Sequence, residues 1–250
     1  MTYALHAEWT KFRTLAGTWW LLLAAAFSCP PGACAADQTG ADPAKISLTG
    51  VFLGQVVIAL LAALAIGGEY GSGMIRVTLT AMPRRLTAFT AKALVTAAGA
   101  LAASLFAVGG SALAGWLILP GKGLSAANGY VPLSLGNASD LRAACGCVLY
   151  LTLIALLAFG VTAAVRDSAA GTGVVLGVLL LFPIMSAVIP DRPLARHLEQ
   201  LSPMTAGLYV QATVGVRSLP LTPWQGLGVT AAWAAGALIL GAALLRLRDA

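Results

Sequence analysis

The chain has 250 residues, 59% of them hydrophobic and 10% charged, with a net charge of +6 and a mean hydropathy of +0.87. A soluble domain carries about 25% charged residues, so this composition excludes an ordinary water-soluble globule.

Six charge-free windows reach the ~20 residues that cross a bilayer as helix: about 15–36, 46–68, 93–119, 143–165, 169–190 and 224–245. Alternating polarity at period two, the mark of a membrane β-barrel, is absent from them. The expectation is an all-α integral membrane bundle of six transmembrane helices, with residues 1–250 as one domain and no room for a separate soluble one.

The chain opens with Leu5, Trp9, Phe12 and Ala16 spaced three or four apart and Glu8, Lys11 and Arg13 between them. That spacing describes an amphipathic helix over 1–14 lying on the membrane surface before the first span. Trp19 and Trp20 suit the headgroup level. The stretch Gly32 to Asp37 (GACAAD) also resembles a signal-peptide cleavage site; a retained span is the reading adopted here. Cys29 and Cys34 flank a Pro30-Pro31-Gly32 turn and, with Cys145 and Cys147, fall near the outer ends of their spans, on an oxidising side where disulfides can form.

Between the second and third windows lies the most informative segment, Gly67 to Lys92, reading GGEYGSGMIRVTLTAMPRRLTAFTAK. A connector needs only a few residues, and this one is long and patterned. Glu69 stands in an expected glycine-rich bend, with Gly71 and Gly73 permitting a sharp exit from the second span. Met74, Val77 and Ala81 form an apolar stripe, Pro83 stops the helix, and Arg84 and Arg85 can meet an acidic partner or lipid headgroups. An interfacial helix anchored by snorkelling arginines is the alternative reading.

No Asp, Glu, Lys, Arg or His falls inside any window. Ion-coupled carriers generally place such groups at membrane depth; here Gln55, Ser104, Ser111, Tyr150, Thr152, Thr162 and Ser186 are the polar groups on offer, suited to bonding neighbouring helices or their own backbone. In the fifth window Ala169, Gly173 and Gly177 recur at four-residue spacing, which lets helix backbones approach closely. His197, beside Arg196 and Glu199, reads as a surface residue, and no grouping of His, Cys and carboxylates suggests a metal.

Lys and Arg placement sets the orientation. With the N-terminus inside, the inner segments carry nine (Lys11, Arg13, Arg76, Arg84, Arg85, Lys92, Arg166, Arg246, Arg248) and the outer segments six, completing the fifteen. Both termini are therefore expected in the cytoplasm. Nor is there a phosphate-binding GxxxxGK[ST] loop; Gly121-Lys122-Gly123 has the wrong spacing. Any work of transport would come from a cytoplasmic partner.

Three pieces together, AEWTKFRTLAGTWW (Ala7 to Trp20), GEYGSGMIRVTLTAMPRR (Gly68 to Arg85) and QLSPMTAGLYV (Gln200 to Val210), resemble the membrane subunit of an ABC-2 type exporter, in particular the stand-alone six-span permeases of actinobacteria. The resemblance implies an interfacial elbow helix, a coupling helix between spans two and three seated in an ATPase subunit, and short re-entrant helices before span six. It implies that Glu69, Gly73, Arg76, Leu79, Pro83 and Arg84, with Arg85 beside them, couple the chain to that ATPase. It further implies a dimer with a second permease copy or a paralogue, with Ala169, Gly173 and Gly177 at the seam. ATP and magnesium would belong to the partner chain, the location would be the plasma membrane, and the cargo an amphipathic, drug-like or lipid-like molecule. Membrane lipids are expected neighbours and nucleic acid is not. The rival readings are a non-transporting sensor or assembly protein on the same frame, and an intramembrane lipid-modifying enzyme. Against a membrane protease stands the lack of a histidine in any span and of an HExxH motif.

Overall fold

The computed structural model describes residues 48, 50–71, 85–118, 137–216 and 219–247. Among them all regular structure is helical: α1 (Gly50–Gly71), α2 (Arg85–Ile118), α3 (Ala138–Val165), α4 (Ser168–Val188), α5 (Arg192–Leu201), α6 (Pro203–Leu208), a 3-10 turn (Tyr209–Gln211) and α7 (Pro223–Leu247). Five helices are long and apolar enough to cross a membrane, over Gly50–Gly68, Leu86–Leu113, Ala138–Val165, Ser168–Val188 and Pro223–Leu247. They coincide with the second to sixth apolar windows. The first window and the expected surface helix over 1–14 lie outside the described residues, as do Cys29 and Cys34.

The sequence explains why these segments are helices packed in this way. Each is apolar around its whole circumference, the pattern of a helix surrounded by hydrocarbon or by other helices. The share that faces protein differs sharply. In its most hydrophobic stretch α3 is 67% buried and α1 56%, against 22% for α2 and α7 and 17% for α4. So α3 is the axis, with α1, α2, α4 and α7 packed around it. At about 1.5 Å per residue it is about 42 Å long.

The α3–α7 crossing is a backbone contact. A Cβ placed on Gly160 would lie 2.6 Å from the carbonyl carbon of Ala237, so only glycine allows the two backbones to meet there. α3 hands over to α4 within two residues. Arg166 adopts a left-handed conformation (φ 65°) and donates its N–H to the Thr162 carbonyl, 2.8 Å away. Asp167 then caps α4 by accepting from the Ala170 N–H at 2.7 Å. This pairs an αL C-cap with an acidic N-cap, and no further residues are needed.

Three helix limits differ from expectation. Gly67 to Gly71 do not bend but complete α1. Packing overrides the low helix propensity of glycine: Gly67 lies against Ser168 at the start of α4, and the Tyr70 hydroxyl donates to the Ala163 carbonyl at 3.4 Å. Downstream, α2 starts at Arg85 rather than at residue 93 and takes Lys92 into its helix, with Phe89 buried. Likewise α3 starts at Ala138 and carries Asp140 and Arg142 in its first turns.

Short helices fill the space ahead of the last span. α6 is buried at Pro203, Met204, Ala206 and Gly207. Gly207 lies flat against the Tyr150 ring and the Thr230 hydroxyl, an approach any side chain would block. Tyr150 is about 18 Å along α3 at 1.5 Å per residue, so α6 sits deep between α3 and α7. The preceding α5 is strongly two-faced, with Leu194 and Leu201 exposed on one side and Arg192 and Arg196 exposed on the other.

Candidate functional site: the connector flanks and the polar seam

The connector itself is bounded by two described helix ends. Glu69 belongs to the last turn of α1 and Arg85 is the first residue of α2. Gly73, Arg76, Leu79, Pro83 and Arg84 lie outside the described residues. What the structure adds is how the two ends are fixed. Ile66 from α1, Phe89 from α2, Phe159 and Ala163 from α3 and Leu245 from α7 form one buried cluster, with Tyr70 packed against it. The Phe89 and Phe159 rings sit 5.3 Å apart at 53°, an attractive tilted geometry. A displacement of the connector would therefore act on the central helix through two aromatic contacts, Tyr70 with the Ala163 carbonyl and Phe89 with Phe159. Burial pushes the Tyr70 phenol up from its ordinary value, partly offset by the Arg166 guanidinium, so it stays a neutral donor.

Farther along α3 runs a seam of polar groups that cross between helices. The Tyr150 hydroxyl donates to the Gln55 carboxamide oxygen, and both residues are fully buried. Ser104 on α2 donates to Leu101 (3.0 Å) and to Val148 on α3 (3.4 Å). Thr230 on α7 donates to the Pro203 carbonyl at 2.9 Å, and the Trp233 indole N–H to the Leu201 carbonyl at 2.9 Å. Toward the start of α3, Arg142 donates to the Ala212 carbonyl at 2.7 Å and Gln211 to the Leu48 carbonyl at 3.3 Å. Thr152 and Ser186 bond their own helices, to Val148 at 2.8 Å and Pro183 at 2.9 Å. Four of the six bonds that cross between elements hold α6 and its flanks into the bundle, those of Thr230, Trp233, Arg142 and Gln211. The Gln55 Nε2 has no hydrogen-bond partner among the described residues.

Ala169, Gly173 and Gly177 share an exposed face of α4, and a Cβ at either glycine would meet nothing within 4 Å. Cys145 is exposed and Cys147 buried two residues on, both as free thiols. They point to opposite sides of α3, so they cannot bridge to each other. Among the described residues no group of three or more His, Cys, Asp or Glu could hold a metal ion. His197 is on the exposed side of α5.

Sequence reasoning passed over two things. Arg142 reads as one more surface cation, but it ties α3 to the segment after the 3-10 turn; no local signal marks that role. Between α4 and α7 there is an apolar groove of about 420 Å³, visible only once three helices are assembled. The chain matches no protein-family model and no curated protein sequence.

Proposed function

We propose that this chain is the membrane subunit of an ATP-driven exporter of the ABC-2 kind. Its support is the connector between α1 and α2, patterned as a short basic helix in sequence and bounded by helix ends locked into one aromatic cluster on the central helix. A docking element must be mechanically tied to the body it drives, and this one is. The charge-free sequence windows hold no carboxylate, lysine, arginine or histidine, and in the described spanning helices Lys92, Asp140, Arg142 and Arg246 stand toward the helix ends, which favours an external energy source over ion coupling.

On this reading a cytoplasmic ATPase subunit, carrying ATP and magnesium, grips the connector through Glu69, Arg76, Arg84 and Arg85. Both termini are cytoplasmic, the membrane is the plasma membrane, and a second permease copy or paralogue packs along the α4 face of Ala169, Gly173 and Gly177. α5 and α6 dip back into the outer leaflet and return to the start of α7; the burial of α6 against Tyr150 and Thr230 supports that path. The chain carries no hydrolytic chemistry of its own. Its cargo is amphipathic or lipid-like, in keeping with apolar spans.

The test is co-purification with the products of the neighbouring genes, among which this reading expects an ATPase. The complex should hydrolyse ATP faster than the isolated ATPase, and Glu69→Ala or Arg84→Ala should remove that stimulation while leaving the permease folded. Failure to associate with any ATPase, or stimulation untouched by both substitutions, would sink the reading.

A further inference from the structure

Arg142, about one turn into α3, is a partly buried cation whose bonding is incomplete. Its Nη2 donates to the Ala212 carbonyl at 2.7 Å, while its Nη1 is buried with no hydrogen-bond partner among the described residues. A guanidinium carries five N–H donors, and a charge withdrawn from water is costly unless an opposite charge meets it. The described acids at this end of the bundle are engaged elsewhere or turned away. Asp140 accepts from the Asn137 side chain at 3.4 Å, and at 100° per residue it lies about 200° round α3 from Arg142. Glu199 accepts from the Tyr209 hydroxyl at 3.3 Å, and Asp191 is exposed ahead of α5.

Two hydrogen bonds narrow down where an acid for Nη1 can come from. Gln211 donates to the carbonyl of Leu48, just ahead of α1, and the next residue, Ala212, accepts from Arg142. Leu48 and the guanidinium are thus held by adjacent residues. The chain outside the described residues adjoins this end of the bundle at 37–47, 49, 119–136 and 217–218. Residues 119–136 contain no Asp or Glu, and neither do 49 or 217–218, so Asp37 and Asp42 are the acids on offer there. Glu8 is separated from Leu48 by the whole first apolar window, and Asp249 follows α7 at the opposite end.

We propose that Asp42 is the counter-ion of Arg142, so that the segment between the first apolar window and α1 is strapped across the 3-10 turn onto α3. The six residues from Asp42 to Leu48 reach up to about 20 Å when extended, enough to pass over two adjacent residues. Asp37 lies eleven residues from Leu48, and closing that longer loop costs more entropy. A carboxylate matches the guanidinium fork and makes short, charge-assisted bonds to it. Arg142 then joins three parts of the chain instead of two: α3, the residues after the 3-10 turn, and the approach to α1. The pairing is independent of the ATPase reading above, because it follows from burial, chain length and charge alone.

The experiment uses the full chain in phosphatidylcholine nanodiscs. Arg142→Lys places a primary amine at this position, which a membrane-permeant carbodiimide joins to a carboxylate in contact with it. Peptide mass spectrometry should then find an amide link between position 142 and Asp42. A link to Asp37, Asp140 or Glu199 in its place, or no link, overturns the proposal. In thermal unfolding, Asp42→Asn and Arg142→Gln should each lower Tm by several degrees, and the double variant should fall no further than the worse single one. Additive losses would show the two residues acting separately, with Asp42 capping a helix for instance, and would equally overturn it. Where Arg142→Gln does not fold, the cross-link and the Asp42→Asn loss decide. A Tm that rises with added phosphatidylglycerol, while Asp42→Asn melts as the wild type, would assign the site to a lipid phosphate and reject Asp42.

Discussion

Tyr150→Phe removes a single oxygen and should cost more stability than its size suggests. The lost hydroxyl is the donor to Gln55, and neither residue reaches the surface. The Gln55 amide nitrogen already lacks a partner among the described residues, so the substitution leaves the whole carboxamide unsatisfied. Stranding a buried polar group costs about 1–3 kcal/mol, whereas hydrogen bonds between membrane helices average only about 0.6 kcal/mol because the unfolded chain also finds partners. The complete burial of Gln55 argues for the upper range. For a chain of this size about 1 kcal/mol moves Tm by roughly 2–4 °C, which puts the expected drop at several degrees. Cys147 supplies the readout: it is buried, so in a background with Cys29, Cys34 and Cys145 replaced by serine a fluorogenic maleimide reacts with it only on unfolding. Gln55→Leu combined with Tyr150→Phe removes donor and acceptor together, and should destabilise less than the sum of the two single changes. A Tyr150→Phe melting curve that overlays the wild type, or strict additivity in the double variant, would refute the account of this pair.

Gly160→Leu drives a side chain into the Ala237 backbone and should prevent α3 and α7 from packing; the expected result is aggregation on gel filtration, with Gly109→Leu on the exposed face of α2, where a Cβ meets nothing within 4 Å, eluting as wild type in detergent. Tyr209 reports on alkaline stability. Its burial, then the charge of Glu199 and the 3.3 Å hydrogen bond to it, push the phenol up to about 12 from 10.0. A folded value above the unfolded one means that this contribution is intact below pH 10 and lost as the pH climbs through about 12. Between those values Tm should fall more steeply for the wild type than for Tyr209→Phe, and identical slopes would contradict it.

Five of the spanning helices were legible because a bilayer imposes a length and a composition that any apolar window must meet. Their limits were not. Gly67 to Gly71 look like a bend by local propensity, but contact with Ser168 and Ala163 about a hundred residues away keeps them helical. Arg85 to Lys92 look like connector by charge, but Phe89 inside that stretch is drawn onto Phe159 and the helix follows it. Gln55 and Tyr150 could each be named as polar groups at membrane depth, though nothing in either neighbourhood says that they meet. The same holds for Gln211 with Leu48, separated by 163 positions. Short helices before the last span were implied by resemblance. Their seating against Tyr150 depends on the spacing of Gly207 from Pro203, a feature that means nothing until α3 and α7 are in place.

Because α3 touches each of the other four described spanning helices and is joined to α4 by only Arg166 and Asp167, axial sliding of any one of them must be registered by α3. On the exporter reading, a rearrangement that opens and closes a passage would thus proceed as whole-body tilting, with α3 as its pivot. Substitutions that soften this rod would blunt motion everywhere at once, whereas changes on the outward faces of α2 or α4 would stay local.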